Sequence, residues 1–148
     1  MKNIQQWLDE YAVSHQNATN KLIHWICVPS IFFSLVCLLN EVHLYQGLSL
    51  AHLVLVGAML FYFRISWKIA VGLLLFYFVC IWGSMQLQNL EISAWKIALA
   101  IFTIAWIGQF IGHKIEGKKP SFLDDMQFLL IGPAWLLSFI YKKLHINY

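Results

Sequence analysis

Residues 22–39 read LIHWICVPSIFFSLVCLL, eighteen positions without an Asp, Glu, Lys or Arg. At 1.5 Å rise per residue, an α-helix of that length covers about 27 Å, close to the thickness of the hydrocarbon layer of a bilayer. The pattern recurs at Leu48 to Phe63, Ile69 to Met85, Ala94 to Gly112 and Phe122 to Tyr141, none with a charge at mid-depth. The spacing predicts an all-α chain, an integral membrane bundle of four to five transmembrane helices forming a single membrane-embedded domain over residues 1–148.

Composition points the same way. The chain is 60% hydrophobic, 16% aromatic and only 11% charged. Seventeen charged residues cannot cover a soluble domain of this size, which would ordinarily carry about 25% charge. Disorder is excluded too, because so much apolar surface more than offsets the entropy of an ordered backbone. The net charge of +3 is spread over the loops. It forms no dense basic stripe of the kind that phosphate backbones require, so no nucleic-acid partner is expected. Cys27, Cys37 and Cys80 lie inside apolar runs without CxxC spacing and read as buried small hydrophobes. The polar first twenty-one residues contain no signal-peptide pattern.

Ahead of the first span, Ile4, Trp7, Leu8 and Tyr11 recur at i, i+3, i+4 and i+7 among polar residues, predicting an amphipathic helix on the membrane surface or against the bundle. The short basic link Arg64 to Lys68 joins the second and third spans as a helical hairpin. Pro29 and Pro133 fall within apolar runs and are expected to mark kinks. Because Gly132-Pro133 sits midway along the last run, that run is either one kinked span or a re-entrant pair of half-helices. Basic residues set the orientation. With the amino terminus cytoplasmic, Lys2, Lys21, Arg64, Lys68, Lys114, Lys118 and Lys119 lie inside and Lys96 outside. Lys142 and Lys143 join the inner set if the last run turns back.

This topology gathers polar groups at one face. His15 precedes the first span, His24 lies about one turn inside it, and His113 closes the fourth, with Glu116 following. Asn17, Asn20 and His24 share one helical face by their spacing, as do Gln109, His113 and Glu116. Imidazole and carboxylate suit a non-haem iron, zinc or manganese site, and either two histidines with one carboxylate or three histidines would serve. Each element also has a plain alternative. His24 alone could bond a carbonyl, His15 could be a surface residue, His113-x-x-Glu116 could serve solubility, and Asp124-Asp125 could favour a helix start. His43, His52 and His145 belong to that plain class, and the Trp and Tyr excess reads as interfacial belts. Convergence carries the argument. A small transporter or non-catalytic lipid-binding protein, and another metal-dependent lipid enzyme, remain open as alternatives.

The run Ser14-His15-Gln16-Asn17-Ala18-Thr19-Asn20-Lys21-Leu22-Ile23-His24-Trp25-Ile26-Cys27-Val28-Pro29 resembles the opening motif of the Mpo1-like family of small membrane proteins, once catalogued as a domain of unknown function. The run Trp106-Ile107-Gly108-Gln109-Phe110-Ile111-Gly112-His113-Lys114-Ile115-Glu116-Gly117-Lys118-Lys119-Pro120 is similar to its second motif, and the likeness continues through Leu130-Ile131-Gly132-Pro133. Ala18 departs from it, standing where the family commonly has proline. The resemblance implies an Fe(2+)-dependent dioxygenase that takes a 2-hydroxy fatty acid and molecular oxygen and shortens the acid by one carbon, an α-oxidation. It further implies His15, His24 and His113 as iron ligands, with Glu116 as a fourth ligand or as partner of an imidazole N–H. Asn17, Asn20 and Gln109 would then orient substrate or water, and Lys114, Lys118 or Lys119 would attract the carboxylate. The surroundings are expected to be membrane lipid, with the compact size and polar start of the chain favouring a bacterial inner membrane over the endoplasmic reticulum, and assembly as a homo-oligomer is compatible with all of this.

Overall fold

The computed structural model describes residues 2–117 and 129–148, so Lys118, Lys119, Asp124, Asp125 and the start of the last apolar run lie outside the described residues. Helix α1 covers Ile4–Val13, and Asn3 starts it by a reciprocal cap in which each of Asn3 and Gln6 accepts the other's backbone N–H at 2.9 Å. Its Ile4, Leu8 and Tyr11 are buried, so the predicted amphipathic helix lies against the bundle, with Trp7 edge-on to Phe61.

Helix α2, Ala18–Asn40, contains the whole first apolar run and continues through Pro29. Two short antiparallel strands follow, β1 at His43–Tyr45 and β2 at Leu48–Ser49. Gly47 turns the chain between them at φ 74°, a conformation costly for any residue with a Cβ. This hairpin is the only sheet among the described residues, and it arises where no apolar periodicity demands a helix. Helices α3, Leu50–Ile65, and α4, Trp67–Gln88, form the expected hairpin, closed by Ser66, whose hydroxyl accepts the Ile69 N–H at 3.3 Å. Helix α5 runs Ala94–Glu116 and ends on Gly117 in the left-handed region. By length and composition α2, α4 and α5 can each cross a membrane, and α3 is a shorter apolar helix. Their outward faces are apolar and open, with Leu75, Trp82 and Ile104 more than 60% exposed, a surface suited to lipid rather than water.

The close packing of α2 on α5 positions the site. A Cβ at Gly112 would collide with Asn20 Oδ1 and stand 3.3 Å from His24 Cε1, and one at Gly108 would stand 2.5 Å from Cys27 Sγ. Two glycines four residues apart, with Ala98 and Ala105 buried on the same helix, let the backbones approach as small residues do in membrane bundles.

Helix α6, Ile131–Lys143, corrects the expectation of a kink at Pro133. The proline falls in the first turn, where its missing N–H has no intrahelical partner to lose. Thirteen residues reach only about 20 Å, too short to cross. The ends of α6 show its course. Tyr62 Oη donates to Leu130 O before its start, and Tyr141 Oη donates to Lys68 O at the start of α4 at 2.7 Å, so α6 finishes on the side where α2 and α4 begin. Both ends of α6 are thus tied close to the α3–α4 link, so the described part of the last run does not cross to the far side, while its start lies outside the described residues. One apolar cluster joins α1, α3, α4 and α6 through Leu8, Tyr62, Ile69 and Ile131, and a second joins Val36, Ala51, Tyr77 and Cys80 toward the hairpin end. Cys37 and Cys80 are buried and unpaired as expected, while Cys27 is half-buried.

Candidate metal centre

Three histidines meet where α1, α2, α5 and α6 converge. His15 comes from the link between α1 and α2, His24 from α2 and His113 from the last turn of α5, and all are at most 6% exposed. Ring centroids stand 4.2 Å apart for His15 and His24, 5.1 Å for His24 and His113, and 5.5 Å for His15 and His113, with the planes near perpendicular. One nitrogen from each lies within 4.8 Å of the other two. Among the described residues this is the one group of His, Cys, Asp and Glu gathered closely enough to hold a metal ion.

The backbone decides which nitrogen each of two rings offers. His15 Nδ1 lies 2.6 Å from Tyr11 O, and His24 Nδ1 lies 2.9 Å from Asn20 O. A carbonyl only accepts, so in both rings the neutral tautomer carries its proton on Nδ1 and directs the Nε2 lone pair elsewhere. His15 Nε2 is buried with no hydrogen-bond partner, an unmet acceptor on a ring of the cluster. Burial pushes the His15 pKa down from 6.5 to about 4, with His113 adding to the shift and the Tyr11 carbonyl opposing it. The ring is thus neutral at physiological pH, the form that ligates metals. Tyr11 also stacks on His15 at 4.1 Å, and Trp135 of α6 stands 5.3 Å away, fixing the ring on two sides.

Glu116 does not hold an imidazole N–H. Its Oε1 accepts Gln16 N–H at 2.8 Å, and its Oε2 accepts Asn17 N–H and Asn20 Nδ2 at 2.9 Å each. It therefore sits at the amino end of α2, where leftover N–H groups and the helix dipole attract a carboxylate, and it ties the end of α5 to the link carrying His15. The Asn17 side chain caps α2 by accepting from Thr19 N and Asn20 N at 2.9 and 3.3 Å. Asn20, fully buried, joins these parts: its Nδ2 also reaches Ser14 O at 3.2 Å while its carbonyl holds His24.

Gln109 lies one turn before His113 and is 7% exposed, with Oε1 buried and unpartnered. With Tyr11, His24, Trp106, His113 and Gly132 it lines a cavity of about 20 Å³, room for one water-sized group. On the outer side of His15 a polar cavity of about 230 Å³ is bordered by Asp9, Lys21, Ser138 and Lys142. Lys114 is exposed elsewhere on α5. His43 and His52 lie at the far end, near Glu41 O and Ser49 respectively, and His145 is exposed after α6. Sequence reasoning overlooked Tyr11, Trp135 and Lys142 as parts of the site. Tyr11 carried a signal in its i, i+4 relation to His15, whereas the α6 residues carried none, since tertiary packing alone sets Trp135 and Lys142 beside His15.

A family model described as "2-hydroxy-palmitic acid dioxygenase Mpo1-like" matches residues 1–144. Over 143 residues the chain is 32% identical to the 2-hydroxy-palmitic acid dioxygenase MPO1 of Saccharomyces cerevisiae, covering 95% of this chain and 81% of that relative. No solved structure matches. With two motifs built around a buried histidine triad and a match that runs nearly end to end, the chain belongs to the Mpo1-like family.

Proposed function

We propose that this protein is an Fe(2+)-dependent dioxygenase that shortens 2-hydroxy fatty acids by one carbon at the cytoplasmic membrane interface. The observation that carries the reading is the buried triad, with two tautomers fixed by carbonyls and His15 Nε2 left as an unmet acceptor. Neutral imidazoles suit iron, zinc, copper and nickel alike, so the donor set fits iron(II), and likeness to a protein named a dioxygenase supports a metal that handles oxygen. When bound, the metal supplies the oxygen chemistry that side chains lack.

The chain supplies the rest. His15, His24 and His113 are the ligands. Glu116 and Asn20 are positioning residues that hold the link bearing His15 and the His24 carbonyl partner, and Asn17 fixes the start of α2. Gln109 Oε1 accepts a hydrogen bond from the substrate's 2-hydroxyl in the small cavity. Lys21 and Lys142, which border the polar cavity beside His15, guide the approaching carboxylate toward the site, whereas Lys114 lines neither cavity. Burial excludes bulk water from the reacting carbon. With the amino terminus cytoplasmic, the basic residues at the start of α2 and α4 and at the end of α6 share the inner side. The membrane is the bacterial inner membrane.

Anaerobic purification in detergent, metal analysis and oxygen uptake with a 2-hydroxy fatty acid test this reading. One iron per chain and oxygen consumption yielding the acid one carbon shorter are expected. Stoichiometric zinc without oxygen uptake would refute the chemistry while leaving the site.

A further inference from the structure

We infer that the apolar cavity between α2, α4 and α6 holds the hydrocarbon chain of the substrate and that Phe76 at its deep end limits chain length. The inference rests on the proposed function for the identity of the headgroup. The cavity measures about 190 Å³, and its wall includes Val28, Pro29, Leu73, Phe76 and Leu136, a lining that rewards only a hydrocarbon occupant. Val28 connects it to the site. This buried residue lies one turn beyond His24 on the same face of α2 and also lines the small cavity beside His24, Gln109 and His113. A chain leaving the histidines can therefore pass over a single side chain.

Access is from the side. Trp25 and Ile140 border the cavity and are 39% and 43% exposed, giving a lateral opening between α2 and α6 through which a lipid-dissolved acid enters without crossing water. At the other end Phe76 stacks on Phe32 at 5.1 Å and closes the space. A larger apolar groove of about 400 Å³ lies between α2 and α5, bordered by Ile26, Cys27 and Ile104. It shares no lining residue with the histidine cavity, so a chain seated there would carry its headgroup away from the triad.

The test measures turnover of saturated 2-hydroxy acids of 10 to about 20 carbons by wild type, Phe76→Ala and Leu136→Phe. In parallel, metal-free wild type is photolabelled with a fatty acid bearing a terminal diazirine. Each methylene that gains or loses its seat changes affinity by about fourfold. Phe76→Ala is expected to move the optimum to longer chains and Leu136→Phe to shorter ones, with at least a tenfold change in the long-to-short ratio of kcat/KM, and the label is expected near Phe76. Profiles unchanged in two folded variants, or label on Ile26 and Ile104, overturn this seat while leaving the proposed chemistry intact. If wild type does not turn over any 2-hydroxy acid, the chemistry fails, and the labelling alone decides the seat: near Phe76 it stands, elsewhere it falls.

Discussion

His15 and His24 are oriented by backbone carbonyls, and all three imidazoles are buried close together, so removing any one should act on metal rather than on fold. His24→Ala and His113→Ala are expected to keep wild-type helicity by circular dichroism and to lose at least nine-tenths of bound iron; retention of full metal by both would refute the site. Glu116 separates two roles that share one carboxylate. As an anchor for Gln16, Asn17 and Asn20 it is worth about 1–3 kcal/mol. Glu116→Gln should therefore lower the unfolding temperature yet keep iron near stoichiometry, whereas a ligand role would reverse those results. His15 supplies a pH dependence with a definite sign. Above pH 6.5 its ring is neutral in both folded and unfolded chains. Between 6.5 and about 4 the unfolded chain binds a proton that the folded chain refuses, so stability falls as pH falls through that window. Thermal unfolding of the metal-free protein at pH 7.5, 5.5 and 4.5 should show the decline, and His15→Gln should flatten it.

Among the elements, the α2–α5 pair matters most, because it brings His113 beside His24. Gly112 faces Asn20 Oδ1 and His24 with no room for a methyl group, so Gly112→Ala must separate the helices or displace Asn20. Overpacking of this kind costs about 1–3 kcal/mol. A lower unfolding temperature together with reduced iron is the expected outcome; normal iron content would show that the triad tolerates a shift of α5. Helix α6 shows how an apolar run can mislead. Residues 122–141 are long enough to cross, yet the described helix begins at Ile131, with Pro133 in its first turn, and ends on the side where α4 begins. Proline is as compatible with a helix start as with a kink, and composition does not separate the two.

For the whole molecule, the course of α6 puts Lys142 and Lys143 on the same side as Lys2 and Lys21, with His43 opposite. Single cysteines at Asn3, Leu44 and Lys143, introduced after the native cysteines are replaced by Ala, should label accordingly: Asn3 and Lys143 from one side of sealed vesicles, Leu44 from the other. Labelling of Lys143 with Leu44 would show that the last run crosses.

The sequence by itself determined the apolar helices, the amphipathic start and the presence of His24 and His113 near one end of two spans, because hydropathy and a 3.6-residue period are local properties of a chain. It also placed Asn17 and Asn20 on the His24 face, since i, i+3 and i, i+4 relations need no tertiary information. Only the tertiary structure decided that Glu116 caps α2, a hundred residues away from Gln16, and that α6 sets Trp135 against His15. The reason is that a carboxylate goes to whichever donors the folded chain leaves unpaired. Here those were the free N–H groups at the start of α2, brought within reach by Gly108 and Gly112, whose spacing permits a close helix contact without naming the partner helix.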